Sequence, residues 1–205
     1  MKAIIFDIDG TLVESMSVDT AIYFTAINQV LGPVRVRDNL DDYDHVTDSG
    51  LLAQLLEDNG HAADSDVAAS IKAVFVDGIR DHIRTAGPFP AVDGAVRFLD
   101  KTRESGRVGL AIATGGWRES ALLKLESAGF DIDGIPLVTG DDAHSRVEIM
   151  RGALERLGND FESVTYFGDG HWDRRACHAL GWQFRAVGAE LDGIRSYRSL
   201  DIHSP

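Results

Sequence analysis

The sequence predicts an α/β fold in which a Rossmann-like parallel sheet core has helices on both faces and carries an inserted α-helical cap subdomain. Two observations support this prediction. Short apolar runs that end at turn residues alternate with helical patterns over most of the 205 residues, and such runs are typical of strands buried on both faces of a parallel sheet. Between the first run and residue 87, however, only helical patterns occur.

Five segments are predicted to be strands. The clearest are apolar runs that stop abruptly at an acid or at a pair of glycines, and two shorter runs follow the same pattern. The predicted strands are Lys2–Phe6, Arg107–Thr114, Ile135–Thr139, Ser163–Gly168 and Gln183–Val187. Alternation with helices favours right-handed crossovers, so the carboxyl ends of the strands should meet at one edge of the sheet, where such folds bind ligands.

Helical patterns separate the later strands. Apolar residues recur at helical spacing in Val92–Ser105, between Ala121 and Ala128, and in Val147–Leu157. A glycine follows each segment, which is typical of a helix C-terminus. These helices are expected to cover the two faces of the sheet.

A block of helices separates the first strand from the others. The helices predicted in this block are Ser17–Leu31, Thr47–Asn59 and Asp64–Thr85. Pro88 and Pro90 then mark the return of the chain to the sheet. We therefore expect a catalytic core formed by residues 1–14 and 88–205, with a helical cap over residues 15–87.

Composition and charge exclude several classes of protein. A hydrophobic content of 44% and a charged content of 26% are ordinary for a globular chain. The net charge of −13 repels nucleic acid and anionic membranes, so we expect neither as a partner.

Two features bear on localisation. Cys177 is the single cysteine, and Asp7 interrupts the apolar run near the N-terminus. We expect a cytoplasmic protein that is a monomer or a weak homodimer.

Acids, a hydroxyl and glycines follow three of the predicted strands. These strands lead into Asp7-Ile8-Asp9-Gly10-Thr11, Thr114-Gly115-Gly116 and Gly168-Asp169-Gly170-His171-Trp172-Asp173. Carboxylates gathered in one pocket repel one another, and a divalent cation such as Mg²⁺, which prefers oxygen ligands, offsets this repulsion. We predict that Asp7 and Asp169 bind Mg²⁺ together with the backbone carbonyl of Asp9, and that Asp173 binds the ion or supports its ligands.

The same residues are suited to phosphoryl transfer. Asp7 and Asp9 are two residues apart at a strand end, so one carboxylate can attack phosphorus while the other handles the proton of the leaving group. We assign Asp7 as the nucleophile and Asp9 as the general acid and base. Thr114 and the backbone at Gly115 are predicted to bind the phosphate oxygens.

A basic side chain should also hold the phosphoryl oxygens as negative charge develops. Arg146 is the favoured candidate because it begins a helix after the Ile135–Thr139 strand. Arg118, in the first turn after Gly115, is the rival. Lys124 lies two turns into that helix and is expected to be too far from the site.

These motifs resemble those of the haloacid dehalogenase superfamily, and in particular its phosphoglycolate-phosphatase-like members. The matching segments are Phe6-Asp7-Ile8-Asp9-Gly10-Thr11-Leu12, Ala113-Thr114-Gly115 and Gly168-Asp169-Gly170-His171-Trp172-Asp173. In the third motif, Arg146 stands where the family usually has lysine, and arginine spreads its charge over a wider fork. The resemblance implies an α/β core with a cap between the first and second motifs.

The leading hypothesis is a Mg²⁺-dependent phosphatase that hydrolyses a small-molecule phosphate monoester through an aspartyl phosphate on Asp7. A phosphomutase on a sugar phosphate and a degenerate member that binds phosphate with little turnover are the alternatives. A dehalogenase and a signalling receiver domain are less favoured. Candidates for substrate contact are His45, Thr47, Asp48, Trp117, His171 and Trp172. The alternatives are a helix start for the first three, packing against the cap for Trp117, and packing or solvent exposure for the last two.

Overall fold

The computed structural model describes residues 1–61, 65–158 and 160–201. The strands are β1 (Lys2–Phe6), β2 (Val108–Ala113), β3 (Leu137–Val138), β4 (Ser163–Gly168) and β5 (Gln183–Ala186). The helices are α1 (Met16–Leu31), α2 (Asp48–Asp58), α3 (Ser65–Ala86), α4 (Ala95–Ser105), α5 (Arg118–Ser127), α6 (Arg146–Leu157) and α7 (His171–Leu180). A short 3₁₀ helix, Leu40–Asp42, precedes α2.

The five strands form one parallel sheet in the order β3-β2-β1-β4-β5. β1 is central, and its last residue, Phe6, lies opposite Ile112 of β2 and Phe167 of β4. The three central strands therefore end side by side, which brings the loops that follow them together. β3 is shorter than predicted and contains two residues; it follows Pro136, which has no N–H to donate to a neighbouring strand.

Helices cover both faces of the sheet, as the predicted α/β fold requires. On one face, Ile4 and Phe6 of β1 pack in the same cluster as Phe98 of α4 and Leu125 of α5. On the other face, alternate residues of β1 pack against Met150 and Ala153 of α6 and against Ala176 and Cys177 of α7. The alternation of side chains along β1 explains this division. Cys177 is thus a core residue, as expected from the sequence.

Three helices, α1 to α3, lie in the chain between β1 and α4, and we call residues 15–87 the helical segment. Their predicted positions agree with the structure to within a few residues, although Asp64, the predicted start of the third helix, lies outside the described residues. Rings of Tyr23 in α1 and Phe75 in α3 are 5.8 Å apart, and both contact the ring of Trp117, which precedes α5. Trp117 therefore packs between the helical segment and the sheet-bound part of the chain.

The two connections to the helical segment run side by side. The N–H of Glu14 donates to the carbonyl of Pro90 at 2.9 Å, and the N–H of Val92 donates to the carbonyl of Leu12 at 2.9 Å. The predicted division into a core and a cap at these connections stays a prediction. None of the described helices combines the length and the apolar character that a membrane crossing requires.

Candidate active site

The site lies at the carboxyl edge of the sheet, where the loops after β1, β2 and β4 meet. The N–H of Asp7 donates to the carbonyl of Phe167, and this bond fixes the start of the first loop against β4. Gly10 has a φ of +72°, and a Cβ atom there would lie 2.1 Å from a carboxyl oxygen of Asp169. Glycine at this position therefore permits both the left-handed backbone and the close approach of the two acidic loops.

Three acids converge at this edge. Asp7, Asp169 and Asp173 each place one carboxyl oxygen within 4.8 Å of the others. All three residues are buried, and the Oδ1 atom of each has no hydrogen-bond partner among the described residues. Burial and neighbouring carboxylates outweigh the opposing effect of Arg146 and raise the pKa of Asp7 to about 7 and that of Asp169 to about 8. Buried carboxyl oxygens that accept no hydrogen bond fit a hard divalent cation such as Mg²⁺.

Arg146 lies directly beside these acids. Its Nη1 atom is 3.4 Å from Asp7 and 3.3 Å from Asp173, and its Nη2 atom donates to the carbonyl of Val46 at 3.1 Å. Nε and Nη1 have no hydrogen-bond partner in the described part of the chain, although Nη1 is ion-paired with the two acids, so both can donate hydrogen bonds to a ligand. We refer to Arg146, Asp7, Asp169 and Asp173 as the arginine cluster.

The rival candidate, Arg118, points elsewhere. Its Nη2 atom donates to Asp142 and to the carbonyl of Leu137, each at 3.0 Å. Arg146 can approach because residue 115 is glycine, since a Cβ atom on Gly115 would lie 2.8 Å from Nη2 of Arg146. Of the two arginines considered from the sequence, the structure thus brings Arg146 to the acids.

The prediction that Lys124 is too far from the site was wrong. Its ammonium group lies 2.6 and 2.7 Å from the two carboxyl oxygens of Asp9 and 2.6 Å from Asp19 of α1, and its side chain is fully buried. Side chains on a helix tilt toward its N-terminus, and that direction carries the long side chain of Lys124 back to the strand end. We call Lys124, Asp9 and Asp19 the lysine cluster.

The carboxyl group of Asp9 is held by this cluster and not by the arginine cluster. Besides Lys124, the hydroxyl of Ser15 donates to it. The carboxyl groups that converge are therefore those of Asp7, Asp169 and Asp173. The metal ligand predicted from Asp9 was its backbone carbonyl, and the position of its carboxyl group does not bear on that prediction. Asp173 has a second role, because its carboxyl group accepts a hydrogen bond from the N–H of Gly170 at 3.2 Å and caps α7.

Thr114 stands between the two clusters at the end of β2. It is buried, its backbone N–H donates to the carbonyl of Val138, and its hydroxyl accepts a hydrogen bond from the N–H of Gly116 at 3.2 Å. This hydroxyl still has its own hydrogen to donate. The loop of Thr114, Gly115 and Gly116 lines the same cavity as Asp7, and its predicted role in binding phosphate stays a prediction.

A comparison of the sequence with models of known protein families identifies the family of this chain. A model of haloacid dehalogenase-like hydrolases matches residues 1–181. The chain belongs to the haloacid dehalogenase-like hydrolase family. This match confirms the resemblance drawn from the sequence motifs, and it makes the chain a member of a family of hydrolases. A comparison with curated proteins finds no match.

Solved structures share the fold of this haloacid dehalogenase-like hydrolase. A hydrolase from Pseudomonas syringae is 22% identical with a TM-score of 0.72, and the match covers 91% of this chain and 84% of that one. CbbY from Rhodobacter sphaeroides in complex with phosphate is 19% identical with a TM-score of 0.69, covering 97% and 89%. β-Phosphoglucomutase from Clostridium difficile is 13% identical with a TM-score of 0.68, covering 93% and 86%. Matching structures also include a putative phosphoglycolate phosphatase from Lactobacillus plantarum and a predicted one from Haemophilus somnus.

In this haloacid dehalogenase-like hydrolase, a cavity of about 100 Å³ separates the strand ends from the helical segment. Residues of both clusters line it, together with the loop of Thr114, Gly115 and Gly116. Of the candidates for substrate contact, Thr47, Asp48 and Trp172 line this cavity, whereas His45 and His171 do not. Trp117 is buried in the packing beside α1 and α3.

The sequence analysis missed the acid of the lysine cluster that comes from the helical segment, Asp19. One signal for the cluster was present in the sequence. Lys124 lies three residues after Ala121 and one residue before Leu125, within the apolar stripe of its helix. An apolar stripe faces the core, and a lysine is almost never buried in a core unless an acid pairs with it. The position of Lys124 in the stripe therefore indicates a buried acid partner.

Proposed function

We propose that this hydrolase is a Mg²⁺-dependent phosphatase that cleaves a small-molecule phosphate monoester through an aspartyl phosphate on Asp7. The observation that carries the proposal is the arginine cluster, in which buried carboxyl oxygens and a buried guanidinium nitrogen lie 3.3 and 3.4 Å apart as ion pairs but make no hydrogen bonds among the described residues. Buried polar groups are normally satisfied. Carboxyl oxygens without hydrogen bonds suit a bound cation, and guanidinium nitrogens without hydrogen bonds suit phosphate oxygens.

In the first step, a carboxyl oxygen of Asp7 attacks phosphorus, a new P–O bond forms to Asp7, and the ester P–O bond breaks. The leaving alkoxide takes a proton from Asp9 and departs as an alcohol. In the second step, Asp9 accepts a proton from a water molecule, which attacks phosphorus and releases inorganic phosphate and free Asp7. The hydrogen bonds from Ser15 and Lys124 hold the side chain of Asp9 in place between these steps.

The remaining groups bind the phosphoryl oxygens. Thr114, the backbone at Gly115 and the free donors of Arg146 surround the position beside Asp7 and can stabilise charge that develops there. Asp7, Asp169 and the backbone carbonyl of Asp9 would hold Mg²⁺, with Asp173 beside them. When bound, the ion would supply positive charge that offsets the repulsion between Asp7 and an anionic substrate.

The helical segment takes the role of a cap in this proposal. It supplies one wall of the cavity over the strand ends, so its closure over a bound ester would exclude bulk water from the first step. This assignment includes the boundaries of the cap at residues 15–87 and of the core at residues 1–14 and 88–205.

Phosphate release from a panel of phosphate monoesters, including p-nitrophenyl phosphate, tests the proposal. We expect hydrolysis that requires Mg²⁺, that is lost with EDTA, and that falls by about 10³-fold or more in Asp7→Asn. Asp77→Asn removes the same charge from an exposed position on α3 and should leave the rate unchanged. Hydrolysis by Asp7→Asn at the wild-type rate would contradict the covalent mechanism.

A phosphomutase is the second candidate, because β-phosphoglucomutase from Clostridium difficile shares the fold. Incubation with sugar phosphates separates the two activities, since a mutase yields an isomeric sugar phosphate while a phosphatase yields free phosphate. A folded protein that binds phosphate esters without either product would instead identify a degenerate member of the family.

A further inference from the structure

The wall of the cavity opposite Asp7 comes from the helical segment and is largely apolar. Its apolar side chains are Met16, Phe24, Leu40, Val46 and Leu51. Two acids, Asp19 and Asp48, also line the cavity. In the proposed function the phosphoryl group lies beside Asp7, so this wall contacts the part of the ester that departs as an alcohol.

Basic side chains are scarce around this cavity. Among the described residues that line it, Arg146 is the one basic residue, and in the proposed function its free donors bind the phosphoryl group. Lys124 is fully buried behind the lining and is already paired with Asp9 and Asp19. The lining described here therefore leaves no basic side chain for a second anionic group on the substrate.

Asp48 is held firmly at the border of the two walls. Its backbone N–H donates to the carbonyl of Gly115 at 2.9 Å, and its own carbonyl accepts a hydrogen bond from the hydroxyl of Tyr23 at 2.7 Å. Among the described residues its carboxyl group accepts one hydrogen bond, from the N–H of Trp117 to Oδ2 at 2.9 Å. The Oδ1 atom is thus left to accept a hydrogen bond from a ligand.

The electrostatic surroundings of Asp48 oppose further negative charge. Burial raises the pKa of Asp48 well above its ordinary value, and the neighbouring Asp19 raises it further. A carboxylate or a second phosphate placed here would add repulsion in a site where water screens charge poorly. A hydroxyl or ammonium group would instead satisfy the free carboxyl oxygen.

We propose that the leaving group of the substrate carries no negative charge and donates a hydrogen bond to Asp48 from a hydroxyl or an ammonium group. This inference rests on the proposed phosphatase function. Asp48 would then determine substrate specificity. Esters that carry a carboxylate or a second phosphate would be poor substrates.

Four phosphate monoesters of two-carbon alcohols test the inference, because they differ only in the terminal group. They are 2-hydroxyethyl phosphate, phosphoethanolamine, ethyl phosphate and phosphoglycolate. We expect kcat/KM for the hydroxyl or the ammonium ester to exceed that for phosphoglycolate by about tenfold or more, with ethyl phosphate between them. The hydroxyl and ammonium esters show which donor the site prefers.

Asp48→Asn tests the role of the residue itself. The amide oxygen of asparagine keeps an acceptor for the N–H of Trp117, while the amide nitrogen, a donor, replaces the oxygen that would accept a hydrogen bond from the ligand. We expect the preference for the donor esters over phosphoglycolate to shrink by about tenfold, whereas general damage to the fold would lower all four rates and leave their ratios unchanged. Asp77→Asn is the matched control, and it should keep the wild-type ratios.

Equal kcat/KM values for phosphoglycolate and 2-hydroxyethyl phosphate, or unchanged ratios in Asp48→Asn, would overturn the inference. Hydrolysis of p-nitrophenyl phosphate that depends on Asp7 would then leave the proposed function standing. If no ester is hydrolysed, the proposed function fails, and calorimetric titration of the four esters into Asp7→Asn decides the inference by binding. Tighter binding of the donor esters supports it, and equal or absent binding refutes it.

Discussion

Each of the two buried clusters at the strand ends contains one basic side chain and several carboxyl groups. These groups are hydrogen-bonded to one another in the lysine cluster but not in the arginine cluster. In the lysine cluster, the ammonium group donates short hydrogen bonds to both acids. In the arginine cluster, by contrast, the closest approaches of Arg146 to the acids are 3.3 and 3.4 Å, and several buried oxygen and nitrogen atoms have no partner among the described residues. The hydrogen bonds of the lysine cluster hold Asp9 and Asp19 in place, whereas the arginine cluster, whose polar atoms lack such bonds, suits a ligand.

The pKa shifts show the same contrast. Burial opposes the charge of Lys124, yet Asp19 and Asp9 raise its pKa above the ordinary value, so the ammonium stays charged. Asp7 and Asp169 have raised pKa values because burial and neighbouring carboxylates outweigh the nearby guanidinium. Burial also raises the pKa of Asp19, to about 6. The lysine cluster thus holds two acids with one hydrogen-bonded cation, while the arginine cluster has three acids to one cation, an excess that a divalent ion would relieve.

Replacing the lysine should give the largest effect on stability. Lys124→Met leaves Asp9 and Asp19 buried without their cation, and we expect the free energy of unfolding to fall by about 3–5 kcal/mol, measured by urea denaturation. Lys72→Met is the matched control, because its partner Asp141 and its own side chain are about one third exposed. That control should lose less than about 1 kcal/mol. Equal losses of unfolding free energy in the two variants would show that the buried ion pairs of Lys124 stabilise the fold no more than the exposed pair of Lys72.

Replacing the arginine should instead reduce activity. Arg146→Met removes the free donors beside Asp7, and we expect kcat to fall by about 10²–10³-fold with a smaller loss of stability than Lys124→Met. Arg146→Lys keeps the charge and should recover part of the rate. If Arg146→Met destabilised the fold as much as Lys124→Met while kcat stayed high, the two clusters would have the opposite roles.

Much of this site was predictable from the sequence, and the reason is local. Asp7, Thr114 and Asp169 directly follow buried strands, and parallel strands that pair in register bring such positions together. Arg146 likewise begins a helix. The pairing of Lys124 with Asp9 was not predictable in this way, because it joins residues 115 positions apart and depends on how a long side chain extends along a helix.

Mg²⁺ should stabilise the protein through the arginine cluster. At a concentration one hundred times its dissociation constant, a bound ion adds about 2.7 kcal/mol, which differential scanning calorimetry would record as a higher Tm. Asp169→Asn should abolish this shift, and Asp142→Asn, an acid paired with Arg118 and Arg156 outside the cluster, should keep it. A full shift in Asp169→Asn would argue against the proposed ion site.

The smallest expected effect concerns Ser15, which donates to Asp9. Ser15→Ala removes one hydrogen bond from the lysine cluster, and we expect a loss of about 1 kcal/mol in the free energy of unfolding. Thr85→Ala removes a comparable bond at an exposed position of α3 and should cost less. A loss in Ser15→Ala as large as that in Lys124→Met would mean that the hydroxyl, rather than the ammonium, holds Asp9.

The paired connections between the sheet and the helical segment have a mechanical consequence. Backbone hydrogen bonds tie Glu14 to Pro90 and Val92 to Leu12, and Val13 forms bridges with both Ala91 and Asp9. Because these contacts join both ends of the helical segment to the loop that contains Asp9, a displacement of the helices would strain the backbone beside Asp9.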